Sequence, residues 1–370
     1  MSGEIIVACN IAGGFNNIFP VGKQLKKGDF RVVWVAEKKS YAERALLEAG
    51  EFPKVFELAT EVVKTHPNPA AVITGFSEDK KESIRKLEWE LIRRYGGICP
   101  TIMIQDSWEG HVFIPPWDDG RVRPDMVVVN DEIGASIIRK AWPDFGGKIS
   151  VTGFPSLDIY KDVNFEQEAD IFRKKNGLGS IPVLFFAGTV SVAGEVITEL
   201  VRVLSGIEED VCLAVKPHPA MKERSSEQQK ELWREAVNVF SRKERHVLVD
   251  VNNEEMMGTL SAARAVFTDV STLGWIKALM RGINVWMLYP EIGMAQYRKD
   301  VGFKMEEPPM ITAGCSVLAG NNRDLEAIIN LILSGSGTLE KMLRPNQEKV
   351  FKLDGKNTER AVNIIRNLIK

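Results

Sequence analysis

The segment RAVFTDVSTLGWIKALMRGINVWMLYP, residues 264–290, decides the predicted fold. Its two apolar runs, 265–268 and 285–289, predict buried strands, and apolar residues recur at helical spacing between them. Gly282 stands where that helix would end. A strand, a helix and a second strand in this order predict a βαβ unit with parallel strands.

The polar turn that precedes this helix contains Asp269, Ser271 and Thr272. In a βαβ unit such a turn lies at the carboxyl edge of the sheet, where ligands bind. The hydroxyls of Ser271 and Thr272, with the free N–H groups of the first helical turn, suit a phosphate. The alternative is that Ser271 or Thr272 only caps the helix, which capping preferences alone favour.

Length and composition limit the class of protein. A chain of 370 residues is too long for one ordinary core, so two domains are expected. A hydrophobic content of 44%, with 26% charged residues, fits a globular protein. The formal net charge of -2 gives no reason to expect nucleic-acid binding. The short apolar run near the N-terminus predicts no signal peptide, and no run is long enough to predict a membrane span, so we expect a cytoplasmic location.

Cysteine and histidine usage predicts neither a disulfide framework nor a metal site. The cysteines are scattered, which predicts buried free thiols in a reducing compartment. The histidines show no metal-ligand spacing.

The first half opens with an apolar strand, 5–9, and a predicted loop, 10–17, that contains Gly13 and Gly14. Glycines permit backbone geometries closed to other residues. The order of strand, glycine loop, helix and strand is typical of a nucleotide-binding half, which makes both glycines candidate substrate-binding residues. Neither G-x-G-x-x-G nor the Walker pattern occurs, so a loop that only eases the turn explains the glycines at least as well.

Strands and helices then alternate, which predicts an α/β fold with a doubly wound parallel sheet. The predicted strands are 31–36, 55–58, 71–74, 101–105, 126–129 and 149–152, and the predicted helices are 40–49, 79–95 and 132–141.

The loop after the strand at 101–105 contains Asp106, Glu109 and His111. A carboxylate at the carboxyl end of a strand could act as a general base. A solvated surface loop with one capping Asp is an alternative of equal weight. The proline-rich residues 114–120 could cover a cleft.

We place the domain boundary at 155, where residues 153–155 break the pattern. The prediction is an N-terminal Rossmann-like domain, 1–155, a C-terminal Rossmann-like domain, 156–350, and a C-terminal helix, 351–370, that could pack back on the first. Two such halves should face each other across a cleft, a usual place for ligands.

The second half repeats the alternation of the first. Predicted helices at 165–175 and 192–204 flank a strand at 182–186, which is followed by Gly188 and Thr189. Further on, 294–298 is predicted as a polar loop in which Arg298 could reach the cleft. Helices are also predicted over 322–333 and 357–369.

The strand at 211–215 runs into Lys216-Pro217-His218-Pro219. The prolines fix the backbone and delay the next helix to Ser226. Lys216 and His218 suit a diphosphate, and His218 could instead donate a proton. A surface lysine and a satisfied turn histidine are the alternatives for each alone. The convergence of this turn with the turns at Thr189 and at 269–272 favours a ligand site.

Several motifs resemble those of glycosyltransferases of the GT-B fold. They are KPHP (216–219), FTDVST (267–272), GINVW (282–286), VTGFPSLD (151–158) and DGKNTERAVNIIRNLI (354–369). The nearest resemblance is to the polysaccharide and teichoic-acid type, which includes CDP-glycerol glycerophosphotransferases. The UDP-N-acetylglucosamine 2-epimerases share the same frame.

The resemblance implies a nucleotide-diphosphate donor held by the C-terminal domain, with His218 and Ser271 or Thr272 at the diphosphate. It implies a sugar, glycan or lipid-linked acceptor against the first domain, with Asp106 or Glu109 as the base. Peripheral membrane contact is left open, and the oligomeric state is not predicted.

Differences from the epimerases count against epimerisation. Ser271, Thr272, Ile276 and Lys277 stand where those enzymes carry a glycine pair and two glutamates, and QDSWEG (105–110) replaces their H-x-E-A-G loop. No Asp-x-Asp occurs, so the resemblance implies a metal-independent enzyme without a cofactor.

We therefore expect a transferase that moves a glycosyl or polyol-phosphate group to a hydroxyl acceptor in surface-polysaccharide or glycan synthesis. One alternative is an NDP-sugar 2-epimerase or hydrolase of the same fold. A second alternative is a non-catalytic nucleotide-sugar-binding protein.

Overall fold

The computed structural model describes residues 3–28, 30–56, 58–75, 87–106, 108, 123–218, 221–300 and 305–369. The chain divides into two compact units. The first is Met1–Lys161 with Lys352–Lys370, and the second is Asp162–Phe351. Each unit is built around one parallel sheet, so the predicted α/β class with two doubly wound sheets is confirmed.

The sheet of the first unit has seven strands among the described residues. They are β1 (Glu4–Ala8), β2 (Arg31–Glu37), β3 (Lys54–Phe56), β4 (Ala71–Gly75), β5 (Thr101–Ile104), β6 (Met126–Val129) and β7 (Lys148–Val151). The order across the sheet is β3-β2-β1-β4-β5-β6-β7, with every neighbouring pair parallel. The order reverses between β1 and β4, which is the switch point where open sheets of this kind bind ligands.

Helices flank this sheet. They are α1 (Ala12–Lys27), α2 (Tyr41–Glu48), α3 (Ala59–Thr65), α4 (Leu87–Tyr95) and α5 (Glu132–Ala141). The predicted helices at 40–49 and 132–141 are confirmed, and the side chains of Ser40 and Asp131 cap them. Of the predicted helix at 79–95, residues 79–86 lie outside the described residues.

The predicted glycine loop at 10–17 is wrong, because α1 already begins at Ala12. Gly13 and Gly14 lie in its first turn, and neither has a positive φ. A Cβ built on Gly13 would lie 2.7 Å from Oδ2 of Asp106, and one built on Gly75 would lie 3.3 Å from Cα of Gly14. These glycines allow close approach of neighbouring segments.

The sheet of the second unit has six parallel strands among the described residues. They are β8 (Val183–Ala187), β9 (Val211–Lys216), β10 (His246–Asp250), β11 (Ala263–Thr268), β12 (Ile283–Met287) and β13 (Val317–Ala319). The order is β10-β9-β8-β11-β12-β13, so the switch point lies between β8 and β11. The predicted strand at 285–289 is displaced, since β12 starts and ends two residues earlier.

The helices of the second unit are α6 (Phe165–Lys175), α7 (Ala193–Leu204), α8 (Met221–Arg224), α9 (Glu227–Ser241), α10 (Met256–Ala262), α11 (Thr272–Leu279), α12 (Ala295–Asp300), α13 (Pro309–Thr312), α14 (Asn322–Leu333) and α15 (Thr338–Val350). Two predictions are corrected. The short α8 precedes Ser226, and the predicted polar loop at 294–298 is helical, since α12 follows a π-helical turn at Pro290–Met294. None of the helices in the described ranges has the length and apolar character needed to cross a lipid bilayer.

Alternate residues of the second sheet face opposite helical layers. Phe186 and Phe267 pack in a core with α7, α9 and α14, whereas Phe185 and Val266 pack with α6, α10 and α11. Strands buried on both faces read as continuous apolar runs, which is why they were recognisable in the sequence. The four cysteines are free, as predicted, with Cys99 only partly buried.

The last helix, α16 (Asn357–Ile369), belongs to the first unit. Its residues Val362 and Ile365 join the same hydrophobic core as Ile5. The carboxylate of Asp158 caps α16 by accepting hydrogen bonds from the N–H groups of Asn357 (3.0 Å) and Thr358 (2.7 Å). The sequence motifs at 151–158 and 354–369 are therefore structural partners.

Candidate functional site

The ends of three adjacent strands in the second unit lie side by side at the carboxyl edge of the sheet. Ala187, the last residue of β8, is the register partner of Lys216 on one side and of Thr268 on the other. The segments that begin at Gly188, Pro217 and Asp269 consequently leave the sheet from neighbouring positions. The structure thus brings the three predicted loops to one edge, at the switch point.

Thr189 and Asp269 connect two of these loops. The carboxylate of Asp269 accepts hydrogen bonds from the N–H of Thr189 (3.0 Å) and from its hydroxyl, and also from the N–H of Val270 (2.9 Å). Asp269 is only 1% exposed. Burial raises its pKa, and the hydrogen bonds act in the opposite direction by favouring the carboxylate. This geometry makes Asp269 a positioning residue that fixes the loops on either side of the switch point.

Gly188 is required by packing at the same place. A Cβ on Gly188 would lie 2.5 Å from Cβ of Ala193, the first residue of α7. The turn after β8 therefore runs directly over the start of α7. Whether Gly188 and Thr189 also contact a substrate stays a prediction.

The free N–H groups at the start of α7 already have hydrogen-bond acceptors on another helix. Oε1 of Gln229, in α9, accepts hydrogen bonds from the N–H groups of Gly194 (2.9 Å) and Glu195 (3.3 Å). A Cβ on Gly194 would lie 2.1 Å from the carbonyl oxygen of Gln229, so no larger side chain fits there. Because these N–H groups are occupied and Glu195 adds a negative charge, this helix start is a poor anion site.

The start of α11 is better suited to an anion. Ser271 Oγ accepts a hydrogen bond from the N–H of Leu273 (3.3 Å), so the capping role weighed for Ser271 is present. The first turn of α11 carries no acidic residue that would oppose a phosphate. Thr272 begins the helix, and its side chain lies outside what the structure describes. The phosphate role of Ser271 and Thr272 stays a prediction.

Lys216 and His218 follow β9 at this edge. Nζ of Lys216 donates a hydrogen bond to Oδ1 of Asn253 (2.7 Å), and desolvation lowers the pKa of Lys216. Desolvation also lowers the pKa of His218, and the positive charges of Arg224 and Lys216 lower it further. We therefore expect His218 to be neutral near pH 7, so that Lys216 supplies the positive charge of this turn.

Arg298 lies on α12, beyond the end of β12. Its Nε donates a hydrogen bond to the carbonyl of Glu306 at 3.4 Å. Arg298 itself is exposed on α12, and its contact with a substrate stays a prediction.

The side chain of Lys277, in α11, points away from the carboxyl edge of the second sheet. Its Nζ donates hydrogen bonds to the carbonyls of Leu260 (2.9 Å) and Ala263 (2.6 Å), at the end of α10. The side chain is only 5% exposed, and burial lowers its pKa to about 8. Lys277 therefore has a structural role, and α11 has a buried lysine at a position where the sequence comparison with the epimerases indicated a glutamate.

In the first unit, Asp106 lies against the start of α1, since its Oδ2 is 2.7 Å from the position of a Cβ on Gly13. No side chain caps this helix at Ile11, and its first turn has no acidic residue. The carboxylate of Asp106 is thus placed near the positive end of the helix dipole. Glu109 and His111 lie outside the described residues.

Two buried carboxylates near this edge were missed by the sequence analysis. Glu88, with no exposed surface, accepts hydrogen bonds from the N–H and the Nδ2 of Asn10, both at 2.9 Å. Asp131 accepts a hydrogen bond from Nε1 of the buried Trp108 at 2.7 Å, and burial raises its pKa to about 6. Asn10 lies two residues after the end of β1, a position that the sequence could have pointed to. Glu88 gave no such signal, because it is one of several charged residues in the predicted helix.

Among the described residues, no group of three or more His, Cys, Asp or Glu side chains lies in a metal-binding arrangement. His66 instead pairs with Glu4, and the ring of His246 stacks on Phe240 with centroids 4.9 Å apart.

No protein-family model matches the sequence, and no curated protein matches it. Solved structures do match. A putative UDP-N-acetylglucosamine 2-epimerase from Listeria monocytogenes has a TM-score of 0.67 at 14% identity, over 99% of this chain and 96% of that one. A glycosyltransferase from Rickettsia africae has a TM-score of 0.64 at 11% identity, over 100% and 99%. Anabaena Alr3699/HepE in complex with UDP has 0.64 at 12%, over 100% of both. These likenesses show the fold, which is of the GT-B type.

Proposed function

We propose that this protein is a transferase that moves a glycosyl or polyol-phosphate group from a nucleotide-diphosphate donor to a hydroxyl acceptor, in surface-polysaccharide or glycan synthesis. The proposal depends on one observation, the alignment of Lys216, Ala187 and Thr268 in neighbouring strands. Because of this alignment, three polar loops leave the sheet at one edge, beside the start of α11. The Anabaena structure of the same fold holds UDP, which supports the choice of a nucleotide as ligand.

The donor diphosphate would bind at the start of α11. The N–H groups of the first turn and the Ser271 hydroxyl would hold the phosphate oxygens, and Lys216 would neutralise charge. Negative charge builds up on the leaving phosphate in the transition state, and each donor aimed at it contributes about 3 kcal/mol. His218, as a neutral imidazole, would donate one hydrogen bond. The Thr189–Asp269 pair would keep these groups aligned.

The acceptor would bind at the carboxyl edge of the first sheet. Asp106 or Glu109 would remove the proton from the acceptor hydroxyl as it attacks. Asp106 is the candidate that the structure describes, and it is partly exposed beside Gly13. We propose that the reaction needs no metal, because the sequence has no Asp-x-Asp and Lys216 with the start of α11 supplies the positive charge.

A nucleotide panel tests this proposal. Thermal shift with UDP, CDP, GDP and CMP should give a rise in Tm for one diphosphate, since a bound ligand stabilises the folded state. Ser271→Ala with Thr272→Ala should weaken that binding. The control Ser336→Ala with Thr338→Ala removes a similar pair of hydroxyls at the start of α15, and it should leave binding unchanged. Equal binding by both double variants would refute the phosphate assignment.

An NDP-sugar 2-epimerase or hydrolase is the second candidate, and the likeness to the Listeria structure favours it. The inward-pointing Lys277 counts against it, because α11 then lacks an acid at that position. Incubation with donor and no acceptor separates the two candidates, since only an epimerase or hydrolase would give an inverted or free sugar. Tight binding without turnover across a donor panel would instead indicate a non-catalytic binding protein.

A further inference from the structure

A pocket of about 640 Å³ opens in the first unit, away from the residues discussed above. It is lined by the first residues of three strands, Glu4 of β1, Arg31 of β2 and Lys54 of β3, and by the segment that joins α3 to β4. Glu4 and Arg31 are register partners at the amino ends of β1 and β2, and Lys54 opens the short β3 opposite Val35. Asp106 and Gly13 follow the carboxyl ends of β5 and β1. The pocket is therefore distinct from the proposed acceptor site.

Positive charge exceeds negative charge in this pocket. The Arg31 side chain is 72% exposed, and its Nε lies 3.5 Å from Oε2 of Glu4. Lys54 is exposed and has no ion pair or side-chain hydrogen bond with any residue that the structure describes. Glu4 also contacts His66, since Oε1 of Glu4 lies 2.6 Å from Nδ1 of His66. One carboxylate is thus shared between two partners, whereas Lys54 has no carboxylate partner among the described residues.

His66 is a further polar residue of the lining. The residue is 8% exposed, and its Nε2 has no hydrogen-bond partner within the described part of the chain. Because Nε2 has almost no accessible surface, His66 forms part of the wall, and the contacts to an anionic ligand would come from Arg31 and Lys54. The hydroxyl of Tyr95 donates to the His66 carbonyl at 2.7 Å, which fixes the backbone of this wall.

The rest of the lining is mixed, since Val55, Phe56 and Pro67 are apolar whereas Thr65 and Asn68 are polar. A lining that combines exposed cations with apolar side chains fits a ligand with an anionic group and an apolar body. The volume lies within the range of small-molecule sites. Two positive charges and the fork geometry of a guanidinium suit a phosphate dianion better than a single carboxylate.

We propose that this pocket binds a small organic phosphate monoester, with the phosphate on Arg31 and Lys54 and the organic group against Phe56 and Pro67. The protein would then bind phosphate compounds at two separate places, the donor in the second unit and this ligand in the first. The proposal does not depend on the transferase assignment.

Titration calorimetry of the full-length protein with phenyl phosphate tests the proposal. Arg31→Ala with Lys54→Ala should weaken binding by at least about tenfold, since two charged contacts are lost. Both side chains are exposed, so the variant should fold. The control Arg139→Ala with Lys140→Ala removes two exposed cations of α5 in the same unit, and it should bind as the wild type does.

Glu4→Gln provides a change of opposite sign. It keeps a hydrogen-bond acceptor for His66 and removes the negative charge beside Arg31, so phenyl phosphate should bind more tightly. No binding by the wild type at millimolar concentration, or unchanged affinity in the Arg31/Lys54 variant, overturns the proposal. Weaker binding by Glu4→Gln overturns it as well. Unaltered nucleotide binding by the Arg31/Lys54 variant is expected, which separates this test from that of the donor site.

Discussion

Thr189 donates two hydrogen bonds to Asp269, one from its backbone N–H and one from its hydroxyl, and the pair joins the ends of β8 and β11. These strands lie on either side of the switch point in the second sheet. The Asp269 carboxylate is almost fully buried, so its charge is stabilised by these donors rather than by water. The pair holds the start of α11 in place relative to the turn after β8.

Thr189→Val should destabilise the protein by about 2 kcal/mol, because a hydrogen bond to a buried charge is lost while the shape is kept. Urea unfolding measures the difference. Thr198→Val is the matched control, since Thr198 donates to the neutral carbonyl of Gly194 at 2.7 Å and its loss should cost only about 1 kcal/mol. An equal or smaller loss for Thr189→Val would show that the pair contributes little.

Ser271→Asp separates capping from phosphate binding. Asp is as good an N-cap as Ser, so the free energy of unfolding should stay within about 0.5 kcal/mol of the wild type. A negative charge beside the diphosphate should weaken donor binding by about tenfold or more. Ser226→Asp, at the cap of α9, should change neither property. Nucleotide affinity is measured by calorimetry. If Ser271→Asp binds the nucleotide as tightly as the wild type does, the phosphate does not bind at the start of α11.

Lys277 should make stability depend on alkaline pH. Its folded pKa of about 8 lies below the usual 10.5, so above pH 8 the unfolded state binds more protons than the folded state. The free energy of unfolding of the wild type, relative to Lys277→Met, should therefore rise between pH 8 and 10 by up to about 1.4 kcal/mol per pH unit. Denaturant titrations at several pH values measure this slope. A constant difference would mean that Lys277 is not desolvated.

Asp131 should give the corresponding effect in acid. Its folded pKa of about 6 lies above the usual 3.8 of an aspartate, so the folded state binds more protons between those values. The stability of the wild type relative to Asp131→Asn should fall as the pH rises from 4 to 6, and the difference should be flat above pH 7. Urea unfolding of both proteins at each pH gives the curve. A relative stability that increases over this range would contradict the burial of this carboxyl.

The βαβ unit at 264–290 could be predicted because each of its elements has a local signal. Buried parallel strands are apolar throughout, and Ser271 and Gly282 mark the ends of the helix between them. The alignment of Lys216 with Ala187 and Thr268 also followed from topology alone, because parallel strands end at one edge.

The remaining features depend on residues far apart in the sequence. Gly13 looked like a loop glycine because Asp106, which explains the need for close approach, lies on a different loop. Glu88 looked solvent-exposed because its partner Asn10 is 78 residues away. The inward direction of Lys277 could not be predicted, because its acceptors belong to the end of another helix. Local patterns therefore predicted the strands, the helices and the position of the carboxyl edge of the sheet. They did not predict which polar side chains form the contacts that stabilise the loops at that edge.

The position of α16 in the core of the first unit has a consequence for biosynthesis. Residues 162–351 form a continuous segment, so the second unit can fold as soon as it has left the ribosome. The first unit still lacks Val362 and Ile365 at that time, and the apolar surface around Ile5 stays uncovered. The half that is translated first can consequently complete its core only after the other half has been synthesised.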